Sequence, residues 1–460
     1  NTNNTKNFLT SLEDKLEALQ SHFTWELQLR RPNLSCELNI LQDIGSDEGN
    51  VWLGHIYNLL GFIQYKLGSS KDALNLFNRA AETFQRQKNA DEGPWLMVNF
   101  GNLAWLHHLL GEDEKSEDYL SKVDGLMRKY PAPPGLERHP EVLAEQAWTL
   151  MMFDKEKQQQ AAELFQRAIQ MQPDIVEWQS SYAILTAEFL IKCQSILEPE
   201  VFERLRSAKE RDPGNLYVAA LYLEAKAANG ENVQDEAREL AGRVLERPPS
   251  SYNGIRPLLR LYRNKISKDE AVEIAEKALE KHPDSRYFKR CAAICHMKRI
   301  LNPDRREPKP SRSVINRAIS LWEEMIAAYD YSTLRRQITL AQLYTEVDKE
   351  KANQIYKEQL LREDLDPEGK QKLYNLYAKH LYFIRNESRE STIYHMRAAE
   401  IQSLRELEKT LKRNTDPEMC QEIKEFLENL NIQASESGHK GESSSSLLLE
   451  LSFYSEEEKL

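Results

Sequence analysis

The chain has 460 residues, 29% charged and 40% apolar, with 17 Gly and 18 Pro, a composition that excludes collagen-like and low-complexity classes and leaves length for a sizeable core. A net charge of −11 excludes a protein whose whole surface grips phosphate and leaves room only for a local basic cleft. The polar start Asn1 to Asn7 lacks the charged-then-apolar order of a secretory leader, and no apolar run of about 18 residues is present, so the expectation is the cytosol with no membrane contact.

In chain order, residues 1–50 read as an N-terminal helical cap. From residue 51 a helix-pair pattern of about 34 residues sets in, with large apolar residues in a first helix facing small ones in a second. The first copy holds Tyr57, Leu60, Gly61, Gly68, Ala73, Phe77 and Ala80, in which small Gly61 and Ala73 let two helices approach closely. The second holds Phe100, Leu103, Ala104, Gly111, Ser116, Leu120 and Val123, and the third Trp148, Ala161, Phe165, Ala168 and Pro173. Later copies close at Ala208 and Pro213, at Ala237, Val244 and Pro249, and at Leu258, Tyr262, Ala271, Ala275, Ala278 and Pro283. This is the tetratricopeptide signature, which predicts an all-α superhelical solenoid of about eight or nine units. Pro-containing stretches near Tyr130 to His139 and Asn302 to Ser313 read as inserted loops.

Residues 51–285 are thus the repeats of the N-terminal and central superhelix, and residues 286–434 a basic insert followed by degenerate helical repeats near Ala318, Ala352 and Tyr394. Residues 435–460 form a Ser-rich, acidic tail expected to be disordered.

No phosphate-binding Gly-rich loop, zinc-protease helix, kinase signature or nucleophile elbow is present, so no enzymatic activity and no cofactor are expected. Five cysteines, widely scattered and odd in number, fit reduced thiols. Cys291 and Cys295 lie one helical turn apart, but His296 points to another face, so these residues read as packing and no metal site is assigned.

The stretch Arg286 to Arg312 holds nine Lys or Arg against Asp304 and Glu307 and nets +7 inside an acidic chain. Just upstream, Arg256, Arg260 and Arg263 are spaced to line one face of a first helix. Such a face suits an anionic ligand, or equally a solvated surface paired with acids of neighbouring repeats.

The segment Ser21-His22-Phe23-Thr24-Trp25-Glu26-Leu27 resembles the N-terminal signature of the interferon-induced proteins with tetratricopeptide repeats. The likeness continues through Tyr57-Asn58-Leu59-Leu60, Gly101-Asn102-Leu103-Ala104-Trp105, Ser181-Tyr182-Ala183-Ile184 and Leu261-Tyr262-Arg263, over roughly residues 9 to 400. The resemblance implies a cytosolic, interferon-induced antiviral role in innate immunity, with single-stranded RNA as the expected partner, 5′ end included, and family members as further partners. No DNA is expected. It also implies positions. Trp148 and Ile184 match residues that enclose a cap base, and Tyr217, Arg256 and Arg263 match RNA contacts, to which the basic run adds Lys289 and Arg290.

Other positions depart from that set. Met152 stands for a phosphate-contacting Lys, Gln158 for Tyr, Glu188 for Arg and Cys291 for Gln, while Asn39 and Asp43 stand near the usual Arg and Gln of the early helix. A carboxylate in place of an arginine repels a triphosphate, so recognition of that end by the usual residues is not expected. Trp148 also falls on a repeat core position, where, taken alone, packing is the favoured explanation. The competing expectation is a scaffold for protein partners that uses the same surface without RNA.

Overall fold

A computed structural model describes residues 11–27, 31–135, 137–192, 197–303, 308–329 and 333–413. The acidic tail and Arg305 and Arg306 of the basic run lie outside them. The described residues are helical with short connections and contain no strand. The chain divides into two units, Asn1–Phe288 and Lys289–Leu460.

The first unit begins with α1 (Leu12–Glu17) and α2 (Arg31–Ile44). Six antiparallel pairs follow: α3 (Leu53–Lys66) with α4 (Ser70–Lys88), α5 (Met97–Leu109) with α6 (Asp113–Lys129), and α7 (Pro140–Met151) with α8 (Lys155–Met171). The series continues with α9 (Val176–Lys192) and α10 (Pro199–Arg211), α11 (Leu216–Ala228) and α12 (Gln234–Leu245), then α13 (Ile255–Leu261) and α14 (Lys268–Lys281). A π-turn, Tyr262–Ile266, extends α13. Helix α15 (Arg286–Leu301) crosses the division. In the second unit α16 (Arg312–Ala328) precedes two more pairs, α17 (Leu334–Thr345) with α18 (Lys349–Leu360), and α19 (Pro367–His380) with α20 (Ser388–Arg413).

The residues that announced the repeats are those that hold each pair. Gly54 and Gly61 lie two turns apart on α3, and Phe77 and Phe84 have the same spacing on α4. A Cβ at Gly54 would stand 2.6 Å from the Phe84 ring, and one at Gly61 would stand 2.7 Å from Phe77. The two glycines form a groove into which the two rings lock, while Ala73 and Ala80 are fully buried beside them.

The Ser21–Leu27 segment is structural. His22 is fully buried, and its backbone N–H donates to Asn102 Oδ1 at 3.0 Å. Its ring reaches Asn102 on one side and Thr149 Oγ1 on the other, at 3.2 Å. Burial holds the imidazole far below its ordinary range, at about 3, so the ring is neutral. Phe23 stacks over Trp105 and meets Phe62 edge-on. Gly101 lets this segment lie against α5, since a Cβ there would stand 3.0 Å from the Gln20 carbonyl.

Within the second unit Trp322 is fully buried and donates its indole N–H to the Arg336 carbonyl at 2.9 Å. Tyr356, Tyr377 and His380 form an aromatic cluster between α18 and α19.

Candidate nucleic-acid interface

First helices of consecutive repeats stand side by side, so α9 touches α11 and α11 touches α13. This arrangement brings Glu188 of α9, Tyr217 and Glu224 of α11, and Arg256 and Arg260 of α13 into one network. Tyr217 and Glu224 are seven residues apart and Arg256 and Arg260 four, so each helix presents its pair on one face. The Tyr217 hydroxyl donates to Glu188 Oε1 at 2.6 Å, and Arg256 Nη2 donates to the same oxygen at 2.8 Å. Arg260 forks onto Glu224, Nε to Oε1 at 2.8 Å and Nη2 to Oε2 at 2.7 Å. Its Nη1 makes no hydrogen bond but stands 3.7 Å from Glu188 Oε1. Arg260 is 1% exposed and Tyr217 7%, whereas the Arg256 and Glu188 side chains keep 25% and 18%, so the latter two form the accessible edge. Burial pushes the Tyr217 phenol up, and the nearby Glu188 carboxylate pushes the same way, so it remains a hydrogen-bond donor.

The early half of the unit has the opposite character. Glu145 is 2% exposed, accepts from Asn58 Nδ2 at 2.8 Å, and is raised by burial to about 8. Glu37 on α2 is also raised to about 8, by burial and by Asp154, and its Oε2 has no hydrogen-bond partner. Glu141 is raised by burial too. At about 8, the Glu37 and Glu145 carboxyls are held toward their neutral form by burial, and they offer an anionic ligand no attraction.

Of the residues singled out from the sequence, Tyr217 and Arg256 come together. Ile184 is half-buried on α9, and Arg263 is buried in the π-turn. Trp148 is fully buried and carries Trp52 stacked on it, with centroids 5.9 Å apart and planes at 17°. The Trp148 ring, expected from the resemblance to enclose a base, is packed in the core in this structure. Lys289 and Arg290 belong to the second unit. There Lys289 pairs with Glu324 at 3.1 Å, and Arg290, 6% exposed, lies over the Tyr329 ring. The basic run is thus less available than its net charge suggests.

The departures have local explanations. Gln158 donates to the Met151 and Phe153 carbonyls and closes the α7–α8 turn, and Met152 packs against the core. Asn39 and Asp43 receive Arg286, which donates Nε to Asp43 and Nη1 to Asn39 Oδ1, each at 3.0 Å. The Ser250 hydroxyl and the Ser251 N–H bond the carbonyls of Ile44 and Asp43, fastening the end of α2 to the loop before α13. Cys291 and Cys295 are buried, and among the described residues no cluster of three His, Cys, Asp or Glu could hold a metal ion. Among them, too, no helix is long and apolar enough to cross a membrane.

Sequence reasoning missed Trp52 as the partner of Trp148 and Glu224 as the partner of Arg260. The second was within reach, because Glu224 repeats the face of Tyr217. Trp52 lies outside the repeat pattern and carried no such signal.

No family model matches the chain. Human interferon-induced protein with tetratricopeptide repeats 2 is 26% identical over 96% of this chain and 98% of its own length. The human antiviral innate immune response effector IFIT1 is 24% identical over 85% of this chain and 84% of its own length. Among solved structures, a human IFIT1 dimer with m7Gppp-AAAA superposes with a TM-score of 0.66 at 22% identity, covering 93% of this chain and 97% of that one. A monomeric IFIT1 mutant with Gppp-AAAA gives 0.67 at 21% identity, over 92% and 99%. In its helix pairs, its buried Ser21–Leu27 segment and most of its length, the chain is similar to the interferon-induced proteins with tetratricopeptide repeats.

Proposed function

We propose that the chain is a cytosolic antiviral effector, not an enzyme, that binds single-stranded RNA along the face shared by α9, α11 and α13. The observation that carries this reading is the convergence of the Tyr217 hydroxyl and two arginines on a single oxygen of Glu188, at an edge where the Arg256 and Glu188 side chains stay partly exposed. Such a set of donors suits a phosphate oxygen. The relatives add support, since human IFIT1 has been solved with both PPP-AAAA and m7Gppp-AAAA. In the proposed complex Tyr217, Arg256 and Arg263 contact RNA and Ile184 borders it. The dimeric state of that human relative makes family members a second class of partner to expect.

Filter binding of oligoadenylates with hydroxyl, triphosphate and capped 5′ ends, measured at several salt concentrations, tests the proposal. Changing Arg256 and Arg263 together to Glu should abolish retention of all three. Retention unchanged by the double substitution rejects the site.

A further inference from the structure

Three donors surround one oxygen of Glu188, and this carboxylate occupies the place that a ligand oxyanion would take. The Tyr217 hydroxyl and Arg256 Nη2 are in hydrogen-bond range of it. Arg260 Nη1, on a side chain 1% exposed, is aimed at the same oxygen from 3.7 Å and makes no hydrogen bond. Arg260 is already neutralised by its fork onto Glu224, so with Glu188 opposite Arg256 the four charges cancel.

We propose that Glu188 is the specificity-determining residue of this site: it is an internal competitor that a phosphodiester oxygen displaces and that discriminates against a multiply charged phosphate end. The inference rests on the RNA-binding reading above. The physical reason is charge balance. A phosphodiester brings one negative charge onto Arg256 beside the displaced Glu188 carboxylate, so it meets the repulsion of a single pair of charges. A triphosphate brings several negative charges beside the same carboxylate, to Arg256 and Arg260, which Glu188 and Glu224 already balance. The unsatisfied Arg260 Nη1 gains a hydrogen bond when an oxygen larger in reach than the carboxylate replaces it.

The test uses Glu188→Ala and the isosteric Glu188→Gln in the full chain, with folding followed by circular dichroism. Binding of 5′-triphosphate and 5′-hydroxyl oligoadenylate is compared, and melting is followed in inorganic phosphate. Glu188→Ala should raise the triphosphate-to-hydroxyl affinity ratio at least tenfold, a gain of about 1.4 kcal/mol. Its melting temperature should rise with millimolar phosphate where that of the native chain does not. Glu188→Gln should show a smaller gain of the same sign and carries the test if the Ala variant does not fold. Adding Arg260→Met should cancel the gain. An unchanged affinity ratio and no phosphate response in a folded variant overturn the proposal even if the native chain binds RNA. A native chain that binds no RNA, with a Glu188→Ala variant that responds to phosphate, overturns the RNA reading and leaves Glu188 as the guard of an anion site.

Discussion

Replacing Glu224 by Ala should be among the most damaging single changes in the first unit. Arg260 is 1% exposed and Glu224 6%, and the fork between them uses two bonds of 2.8 and 2.7 Å. Removing the acid leaves a buried guanidinium whose nearest remaining carboxylate oxygen is that of Glu188, 3.7 Å from Nη1. Losing one partner of a buried pair costs about 3–5 kcal/mol, and the residual attraction to Glu188 places this case near the lower end, at about 3. Arg260→Met alone leaves Glu224 buried without its fork and should cost a similar amount. The double change Glu224→Met with Arg260→Met removes both charges and should cost only about 0–2 kcal/mol. Urea unfolding followed by tryptophan fluorescence suits the measurement, because six of the seven tryptophans (Trp25, Trp52, Trp95, Trp105, Trp148 and Trp178) belong to the first unit. The cycle should give a coupling above about 2 kcal/mol. Additive single changes would refute the claim that the two groups are buried as a pair.

Two further outcomes follow from packing and titration. Gly61→Ala should lower the stability of the first unit by about 1–3 kcal/mol in the same assay, because its Cβ would stand 2.7 Å from Phe77 and 3.2 Å from the Ala73 carbonyl. A stabilised variant, as expected if helix propensity alone governed the site, would show that the helices are not in close contact. The second concerns pH. Glu145 is raised from 4.5 to about 8 in the folded chain, so its contribution is complete below 4.5 and lost as pH rises through about 8. His22 is lowered from 6.5 to about 3, so its contribution is complete above 6.5 and lost as pH falls toward 3. Melting temperature should therefore be highest between about pH 4.5 and 6.5, where the two changes offset each other, and fall above and below that window. Glu145→Gln should make the alkaline fall shallower without altering the acid one, and Glu37, also near 8, should account for part of what remains. An alkaline arm unchanged by Glu145→Gln would show that this carboxyl titrates normally.

The sequence by itself determined the repeat architecture. Gly61, Ala73, Phe77 and Ala80 recur at spacings that only paired helices satisfy, and their roles are local, decided within some twenty residues of chain. The same holds for the alignment of Arg256 and Arg260 on one face of α13, whereas Arg263 falls in the π-turn that follows. The likeness of Ser21–Leu27 to a known family was legible too, although its work of filling the space between α5 and α7 was not. What the tertiary structure decided was which charges are spent inside the protein. Glu188 meets Arg256 across 68 residues of sequence, Glu224 meets Arg260 across 36, and Asp43 meets Arg286 across 243. Trp52 covers Trp148 in the same way, turning an expected stacking surface into core. Charge and aromatic character are properties of single residues and can be counted from a string of letters. Their availability to a ligand depends on partners that the stacking of successive repeats brings together, and a helical period of 3.6 residues carries no information about those partners.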